Sequence, residues 1–304
     1  MVTGVATAEV QEKARVLARI IEPVVGQVFF SPECHERYAA LGFSASPGAM
    51  SSGVALPDGP AYFTSRGSAL GQAPGQLVAA AFGVFNPEAV VSSVAHGWSL
   101  TDAATIADER LAGAVEQLER ILGPTPDAVD RAVELLARAT APLEPYGRAL
   151  FAGTLAQPLP GTPLGDLFRL GDRLREFRGD SHIASWVTAG LDATEIGLLT
   201  ELYWGLPARS YVRTRAWSDA QLDAAEARLE IAGHLADGAL TDSGRAFREQ
   251  IELATDAQMA PALDALGNDL AELEAILTPM DHQVMEAGGY PASPLAIAPR
   301  RTTT

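Results

Sequence analysis

The stretch that decides the fold reads WSDAQLDAAEARLEIAGHLADGALTDSGRAFRE (217–249). Ser218 is a typical helix N-cap, and apolar residues then recur every three or four positions up to Ala232, which predicts an amphipathic helix. Gly233 is a typical end for that helix. Asp237-Gly238 stands between apolar neighbours and predicts a tight β-hairpin. The residues after Leu240 then begin a further helix.

One more helix precedes this stretch. Asp192 can cap a helix that carries Ile196, Leu199 and Leu202, and a loop rich in arginine leads from it to Trp217. Helix, helix, short wing and helix is the order of a winged helix-turn-helix domain. The sequence therefore predicts a mainly α fold of winged-helix (helix-turn-helix) architecture with short β-ribbons.

Two resemblances accompany this pattern. The segment LTDSGR (240–245) resembles MarR-type regulators, in which the recognition helix leads through the wing into an LT-x-x-G-R helix. The whole chain is similar to a family of largely uncharacterised actinobacterial helix-turn-helix proteins. The segments that carry this second resemblance are SPECHERYAALGF (31–42), AYFTSRGSALG (61–71), FNPE (85–88), REFRGDSHIASWVTAGLD (175–192) and the same LTDSGR segment. The family name implies DNA binding.

The charge of the chain disfavours DNA binding. The 304 residues carry a formal net charge of −16, whereas phosphate recognition depends on clustered lysine and arginine. Between residues 190 and 256 there are twelve acidic residues and six arginines, a balance of −6. The predicted recognition helix begins with Asp219, Gln221 and Asp223, whose carboxylates would repel a phosphate backbone. The same charge argues against an anionic membrane surface.

The rest of the chain is predicted to be helical, in two halves. Five prolines between residues 142 and 163 mark the boundary. Residues 1–150 form a helical N-terminal half with a long Ser/Gly/Pro-rich loop at 44–61, read as a degenerate winged helix. Residues 151–290 form the winged-helix half, with a long helix at 241–277. Residues 291–304 form a flexible tail. A weak alternation over 210–215 favours a strand.

A short internal similarity supports a tandem arrangement. Trp98-Ser99 precedes TDAATIADERL, and Trp217-Ser218 precedes DAQLDAAEARL. If the similarity is a true repeat, the chain is a pseudo-two-fold pair of halves with a cleft between them, a usual place for a ligand. The alternative is chance similarity between two alanine-rich helices. The protein is accordingly expected to be a monomer that acts as a pseudo-dimer, or a homodimer.

The densest polar run lies in an otherwise apolar helix. Glu176 and Asp180 are four residues apart and share a helix face, and His182 titrates near neutral pH, so these three are the candidate catalytic acid and base groups. Arg178, in the same run, is a candidate ligand-binding residue. The competing interpretation is a solvated helix with ordinary ion pairs.

Two further runs supply candidate ligand-binding residues. Tyr62 and Arg66 follow the long loop, and an arginine among aromatic residues suits a planar or anionic ligand. The alternative there is a β-ribbon packed on the core. Glu33 and His35 flank Cys34, but their spacing matches no zinc motif, so no metal is predicted. No nucleotide-binding or hydrolase motif occurs, and no cofactor is predicted.

The compartment is predicted from the cysteine content and from the hydropathy. One cysteine, Cys34, excludes an intramolecular disulfide framework. No secretory signal pattern or long apolar span is seen, so a cytoplasmic protein with no membrane partner is expected.

Two functions follow from these observations. The first is a small-molecule-binding protein on a repurposed winged-helix scaffold, with the ligand between the halves and a catalytic step as an option. The alternative is a ligand-responsive, MarR-like transcriptional regulator that binds DNA. The sequence leaves open whether the protein is an enzyme.

Overall fold

A computed structural model describes residues 8–46 and 54–293 of the chain. Within these residues the fold is mainly α-helical, with one two-stranded antiparallel ribbon, which confirms the predicted fold class. The helices are α1 (Ala8–Gly26), α2 (Pro32–Ala40), α3 (Gly59–Gly67), α4 (Gly75–Phe82), α5 (Pro87–Leu100), α6 (Ala103–Leu122), α7 (Val129–Thr140), α8 (Ala149–Ala156), α9 (Pro163–Thr188), α10 (Ala193–Tyr203), α11 (Asp219–Ile231), α12 (Asp242–Ala257), α13 (Ala260–Leu266) and α14 (Leu270–Glu286). The strands are β1 (Leu235–Ala236) and β2 (Ala239–Leu240), which lie between α11 and α12.

The helix-turn-helix element consists of α10, α11 and the turn between them. Both of its helices begin at the capping residues that the sequence predicts. Asp192 and Glu195 form a reciprocal capping box at the start of α10, and Ser218 and Gln221 form another at the start of α11. Each box supplies acceptors to backbone N–H groups that have no partner inside the helix. Both helix starts are therefore fixed by local sequence.

The residues of the LTDSGR segment have structural roles at the wing and at the start of α12. Asp237 and Gly238 both adopt positive φ, at 51° and 74°, as a two-residue hairpin turn requires. The Thr241 hydroxyl accepts a hydrogen bond from the Gly244 N–H at 2.9 Å and caps α12. A Cβ atom at Gly244 would lie 2.0 Å from the His234 carbonyl oxygen. Glycine at 244 therefore lets α12 pack directly against the base of the wing.

Two local predictions were wrong, and so was one alternative that the sequence left open. The long helix at 241–277 is three helices, since Pro261 lacks the N–H that would continue α12 and Gly267, at φ 55°, ends α13. Residues Val212–Arg215 form a 3₁₀ helix and no strand. Tyr62 and Arg66 lie on α3 and not on a β-ribbon, because Asp58 accepts from the Ala61 N–H and starts a helix there.

The predicted loop and tail are only partly described. Of the loop at 44–61, residues 47–53 lie outside the described residues, and Gly59 already belongs to α3. Of the tail at 291–304, the structure describes residues 291–293.

Helix α9 is the centre of the molecule. It packs against α1, α6, α7, α8 and α12, and most of its residues from Leu164 to Ser185 are buried. The main hydrophobic core contains Leu135 and Leu136 from α7 together with Leu167 and Phe168 from α9. Helices from the two ends of the chain, α1 and α14, also pack against each other. One core therefore includes residues from both sides of the boundary predicted at residue 150, and the division into two halves stays a prediction.

The two Trp-Ser pairs occupy different places in the structure. Trp98 and Ser99 lie in the last turn of α5, whereas Trp217 and Ser218 directly precede α11. The tandem repeat therefore stays a prediction, with no matching helix positions to support it.

The turn before α11 is attached to the corner between α4 and α5. The Trp217 indole donates to the Val84 carbonyl oxygen at 3.0 Å. Asn86 donates from its backbone N–H to the Arg215 carbonyl at 2.9 Å and from its side chain to the Ala216 carbonyl at 3.0 Å. These contacts fix the start of α11 against the N-terminal half.

Among the described residues, no helix is both long and apolar enough to cross a bilayer.

Candidate functional site

A cavity of about 730 Å³ lies between α1, α9 and the helix-turn-helix element. This volume falls in the usual range for small-molecule sites. Residues Tyr290–Ser293, after α14, line part of it. The polar and aromatic lining residues are Arg15, Arg19, Glu22, Phe30, Arg66, Arg175, Arg178, Tyr203, Trp204, Tyr211, Glu252 and Tyr290.

The lining of the cavity is cationic although the chain is acidic. Five arginines face two glutamates, a balance of +3, in a chain of net charge −16. Further carboxylates lie behind the arginines and hold them in place. The cavity therefore gathers a large share of the 22 basic residues of the chain around one space.

Arg66 and Arg175 share one carboxylate at the wall formed by α9. Glu176, which is 2% exposed, accepts from Arg66 Nε at 2.9 Å and Nη2 at 2.7 Å, and from Arg175 Nη1 at 3.1 Å. Arg175 also donates to both carboxylate oxygens of Glu22, at 2.9 and 3.2 Å. Such paired geometry holds each guanidinium plane in one orientation.

Arg15 and Arg178 share a second carboxylate on α12. Asp256 is fully buried and accepts from Arg15 Nε at 2.7 Å and from Arg178 Nη2 at 2.9 Å. Arg178 also lies 3.2 Å from Glu252. Burial would raise the pKa of the Glu252 carboxyl, but the charges of Arg248, His182 and Arg178 bring that pKa to about 2. Glu252 is therefore ionised at neutral pH.

Aromatic residues complete the lining. The rings of Trp204 and Tyr211 lie 5.5 Å apart on the side of the helix-turn-helix element. Tyr290 donates from its hydroxyl to Glu22 at 3.0 Å and meets the ring of Phe30 edge-on at 5.5 Å. Arg19, an exposed lining residue, makes no ion pair with any described residue. The cavity thus offers both flat apolar surface and guanidinium groups.

The surface of the helix-turn-helix element has a different character. Its arginines near α11 are paired with carboxylates of the same element, and the exposed side chains of α11 include Asp219, Asp223 and Glu230. The pairs are Arg209 with Asp223 and Glu226, Arg213 with Asp219, and Arg228 with Asp192 and Glu195. Among the described residues, this surface therefore presents few cations that are free to meet phosphate.

A family model described as a helix-turn-helix family matches residues 14–291. The chain belongs to this helix-turn-helix family. The match includes most of α1, all of α9, the winged element (α10 to α12 with β1 and β2) and Pro291, so nearly all the residues that line the cavity lie inside it. A search of curated proteins and a search of solved structures each found no match.

The predicted catalytic residues of this helix-turn-helix chain do not meet at the cavity. Glu176 lies just behind the wall, in its pairs with Arg66 and Arg175. Asp180 accepts from the backbone N–H of Phe151 at 2.9 Å and caps α8. His182 lies 3.1 Å from the Thr255 hydroxyl, and burial lowers its pKa to about 4, so it is neutral near pH 7. Their roles in catalysis stay predictions.

The predicted ligand-binding residues are divided between two places. Arg66 and Arg178 line the cavity, and Tyr62 accepts a hydrogen bond from Arg66 at 3.3 Å. Glu33 and His35 lie on α2 instead. Glu33 pairs with Arg120, and the His35 ring is 3.1 Å from the Phe29 carbonyl oxygen. The structure therefore places Tyr62, Arg66 and Arg178 at or beside the cavity, and Glu33 and His35 away from it.

Several lining residues had no local signal in the sequence. Arg15 comes from the first helix and Tyr290 from beyond the last one, and only the packing of α1 against α14 brings these ends together. Arg175 is the exception, because it lies in the same polar run as Glu176 and Arg178. The same local signal that marks Arg178 therefore marks Arg175 as well.

Replacing Asp180 by Asn is expected to stabilise the protein at pH 8 by about 2–3 kcal/mol. Burial raises the pKa of the Asp180 carboxyl from 3.8 to about 6, so folding at pH 8 confines an ionised carboxylate that the unfolded chain hydrates freely. The gain should shrink as the pH falls from about 6 and vanish below about 4, where both states are protonated. Urea unfolding of Asp180→Asn and wild type between pH 4 and 8 measures it. An equal difference at all pH values would contradict this origin.

Proposed function

We propose that this protein binds a planar, aromatic, anionic small molecule in the cavity between α1, α9 and the helix-turn-helix element. The observation that supports the proposal is the lining itself, in which five arginines and several aromatic rings surround about 730 Å³ in an acidic chain. A carboxylate, sulfonate or phosphate on an aromatic ring has the chemistry that such a surface recognises.

The arginines are prepared for an anion by the carboxylates behind them. Glu176 and Asp256 are buried and each orients two guanidinium groups, so these side chains lose little entropy when a ligand arrives. Each guanidinium has five N–H donors and its described partners use only some of them. Apart from the buried Nε–H of Arg178, we expect the remaining donors to bind the ligand anion.

The aromatic residues favour a flat ligand. Trp204, Tyr211 and Tyr203 come from the end of α10 and the turn after it, and Tyr290 comes from the opposite side. Stacking on such rings adds to the contacts made by the arginines. The cavity is formed within one chain, so the proposal needs no second subunit.

Titration with 8-anilinonaphthalene-1-sulfonate, a planar aromatic anion, tests the proposal. We expect saturable binding of one probe per chain, seen in probe fluorescence and in partial quenching of the tryptophan fluorescence, since Trp204 lines the cavity. Gly179 lies on α9 at the cavity, and a Cβ atom there would meet only Glu176 Oε2, at 3.8 Å. Gly179→Trp should therefore place its indole ring in the cavity with no clash at Cβ and weaken binding at least tenfold.

Ala184→Trp is the matched control, because Ala184 is an exposed residue of the same helix that does not line the cavity. It should bind the probe as wild type does. Unchanged binding by Gly179→Trp, with a native circular dichroism spectrum, would reject the cavity as the site.

A second candidate is a ligand-responsive DNA-binding regulator of the MarR type. Membership of a helix-turn-helix family favours it, and the cavity reaches Tyr203 and Trp204 at the end of α10. The carboxylates on α11 argue against it. A gel shift with DNA from the promoter of its own operon, at about 50 mM salt, where phosphate contacts are strongest, tests it. No shift at this salt concentration would exclude this candidate.

A further inference from the structure

A second, much smaller recess lies on the other side of α9, between α3, α6 and α8. Its volume is about 10 Å³, which is room for one particle about the size of a water molecule. Three arginines line it, together with two carboxylates, two serines and Gln157. The charged residues are Arg66, Arg110, Arg169, Asp172 and Glu176.

Four of these five charges are already paired. Arg110 donates to both oxygens of Asp172, at 2.9 and 3.2 Å, and both residues are buried. Arg66 forms its pair with Glu176. The lining therefore has one uncompensated positive charge, and it belongs to Arg169.

Arg169 is buried without a carboxylate partner. It is 4% exposed, and no described residue forms an ion pair with it. Its side-chain contact is a hydrogen bond to the side-chain oxygen of Gln157. Burial lowers the pKa of its guanidinium to about 10, which leaves the group charged at neutral pH. A buried charge without a partner is strongly disfavoured, so a compensating anion is expected nearby.

Two of the arginines that line the recess carry donors without acceptors. The Nε–H groups of Arg110 and Arg169 are both buried and have no hydrogen-bond partner among the described residues. A buried donor without an acceptor costs its full desolvation penalty. An anion in the recess would supply acceptors for both donors and would also neutralise Arg169.

We propose that this recess holds one monovalent anion of halide size, with chloride as the occupant, bound by Arg169 and Arg110. Sulfate, phosphate and organic acids have several heavy atoms and are too large for this volume. A chloride ion is monatomic but somewhat wider than a water molecule, so it fits once the lining side chains move slightly outward. The anion would connect α6, which carries Arg110, to α9, which carries Arg169. This proposal is independent of the ligand of the larger cavity.

Thermal unfolding in different sodium salts tests the proposal. At constant ionic strength, replacing sodium gluconate by sodium chloride should raise the Tm of wild type by about 2–4 °C, because chloride would bind only the folded state. Arg169→Gln should lose this dependence on halide. Arg131→Gln, which removes an arginine from a surface ion-pair group, should keep it. A halide effect that survives in Arg169→Gln would overturn the proposal.

Crystals soaked in sodium bromide provide a measurement that needs no variant. An anomalous bromide peak next to the Arg169 guanidinium is the expected result. A water molecule in the recess, with no bromide peak and no dependence of Tm on halide, would overturn the proposal.

Discussion

Replacing Asp172 by Asn is expected to lower the free energy of unfolding by about 3–5 kcal/mol. Asp172 is 1% exposed and accepts two hydrogen bonds from Arg110, which is itself buried. The variant leaves the Arg110 charge buried among α6, α9 and the ring of Phe168, whose centroid lies 5.2 Å from the guanidinium carbon. Urea unfolding at pH 7, followed by circular dichroism, measures the loss.

The double variant Arg110→Met with Asp172→Leu is the control. It removes both charges and keeps apolar volume, so it should lose much less than Asp172→Asn alone. Burial would raise the pKa of the Asp172 carboxyl, but Arg110 holds that pKa below its ordinary value. Wild-type stability from this pair is therefore present near neutral pH and is lost as the pH falls through the lowered pKa. A loss below about 1 kcal/mol for Asp172→Asn would show that the pair is solvated.

Replacing Glu176 by Ala should also cost about 3–5 kcal/mol, because one buried carboxylate serves two half-buried arginines. Without it, Arg66 and Arg175 face each other at the wall of the larger cavity with no anion between them. Since this wall adjoins the cavity, added sodium acetate should restore part of the lost stability in Glu176→Ala. Unfolding with acetate and with chloride at equal ionic strength separates this rescue from a general salt effect.

Glu22→Ala is the matched comparison. Glu22 also pairs with Arg175, but its side chain is 36% exposed, so its removal should cost about 0–1 kcal/mol. Equal losses for Glu22→Ala and Glu176→Ala would contradict the larger contribution to stability that we expect from the buried carboxylate of Glu176.

The winged element could be predicted from sequence because its signals are local. Ser218, the Asp237-Gly238 turn and Thr241 each act within a few residues of their own position, and each has the role that its residue type predicts. The long helix at 241–277 failed for the opposite reason. Its apolar periodicity continues through Pro261 and Gly267, and the breaks there depend on backbone geometry that the hydrophobic pattern does not contain.

The candidate site was only partly predictable, because its parts are far apart in the chain. Arg66 and Arg178 were found from their unusual surroundings, whereas Arg15 and Tyr290 have ordinary ones. Asp180 was prominent in the sequence as a charge on an apolar helix, and its partner is the backbone of α8. A buried carboxylate can serve a helix end as well as a reaction, and sequence alone does not separate the two.

The pairing of α1 with α14 has a consequence for how the protein is made. The ribosome synthesises α1 long before α14. The apolar face of α1 that packs against α14 therefore stays exposed until the end of synthesis. The core can therefore form fully only after α14 has been made. Because many of the contacts in the core join residues that are distant in the chain, refolding should be slow for a helical protein. A nascent chain stalled between α8 and α9 would expose the faces of α1 and α7 that α9 covers, a surface that invites chaperones or aggregation.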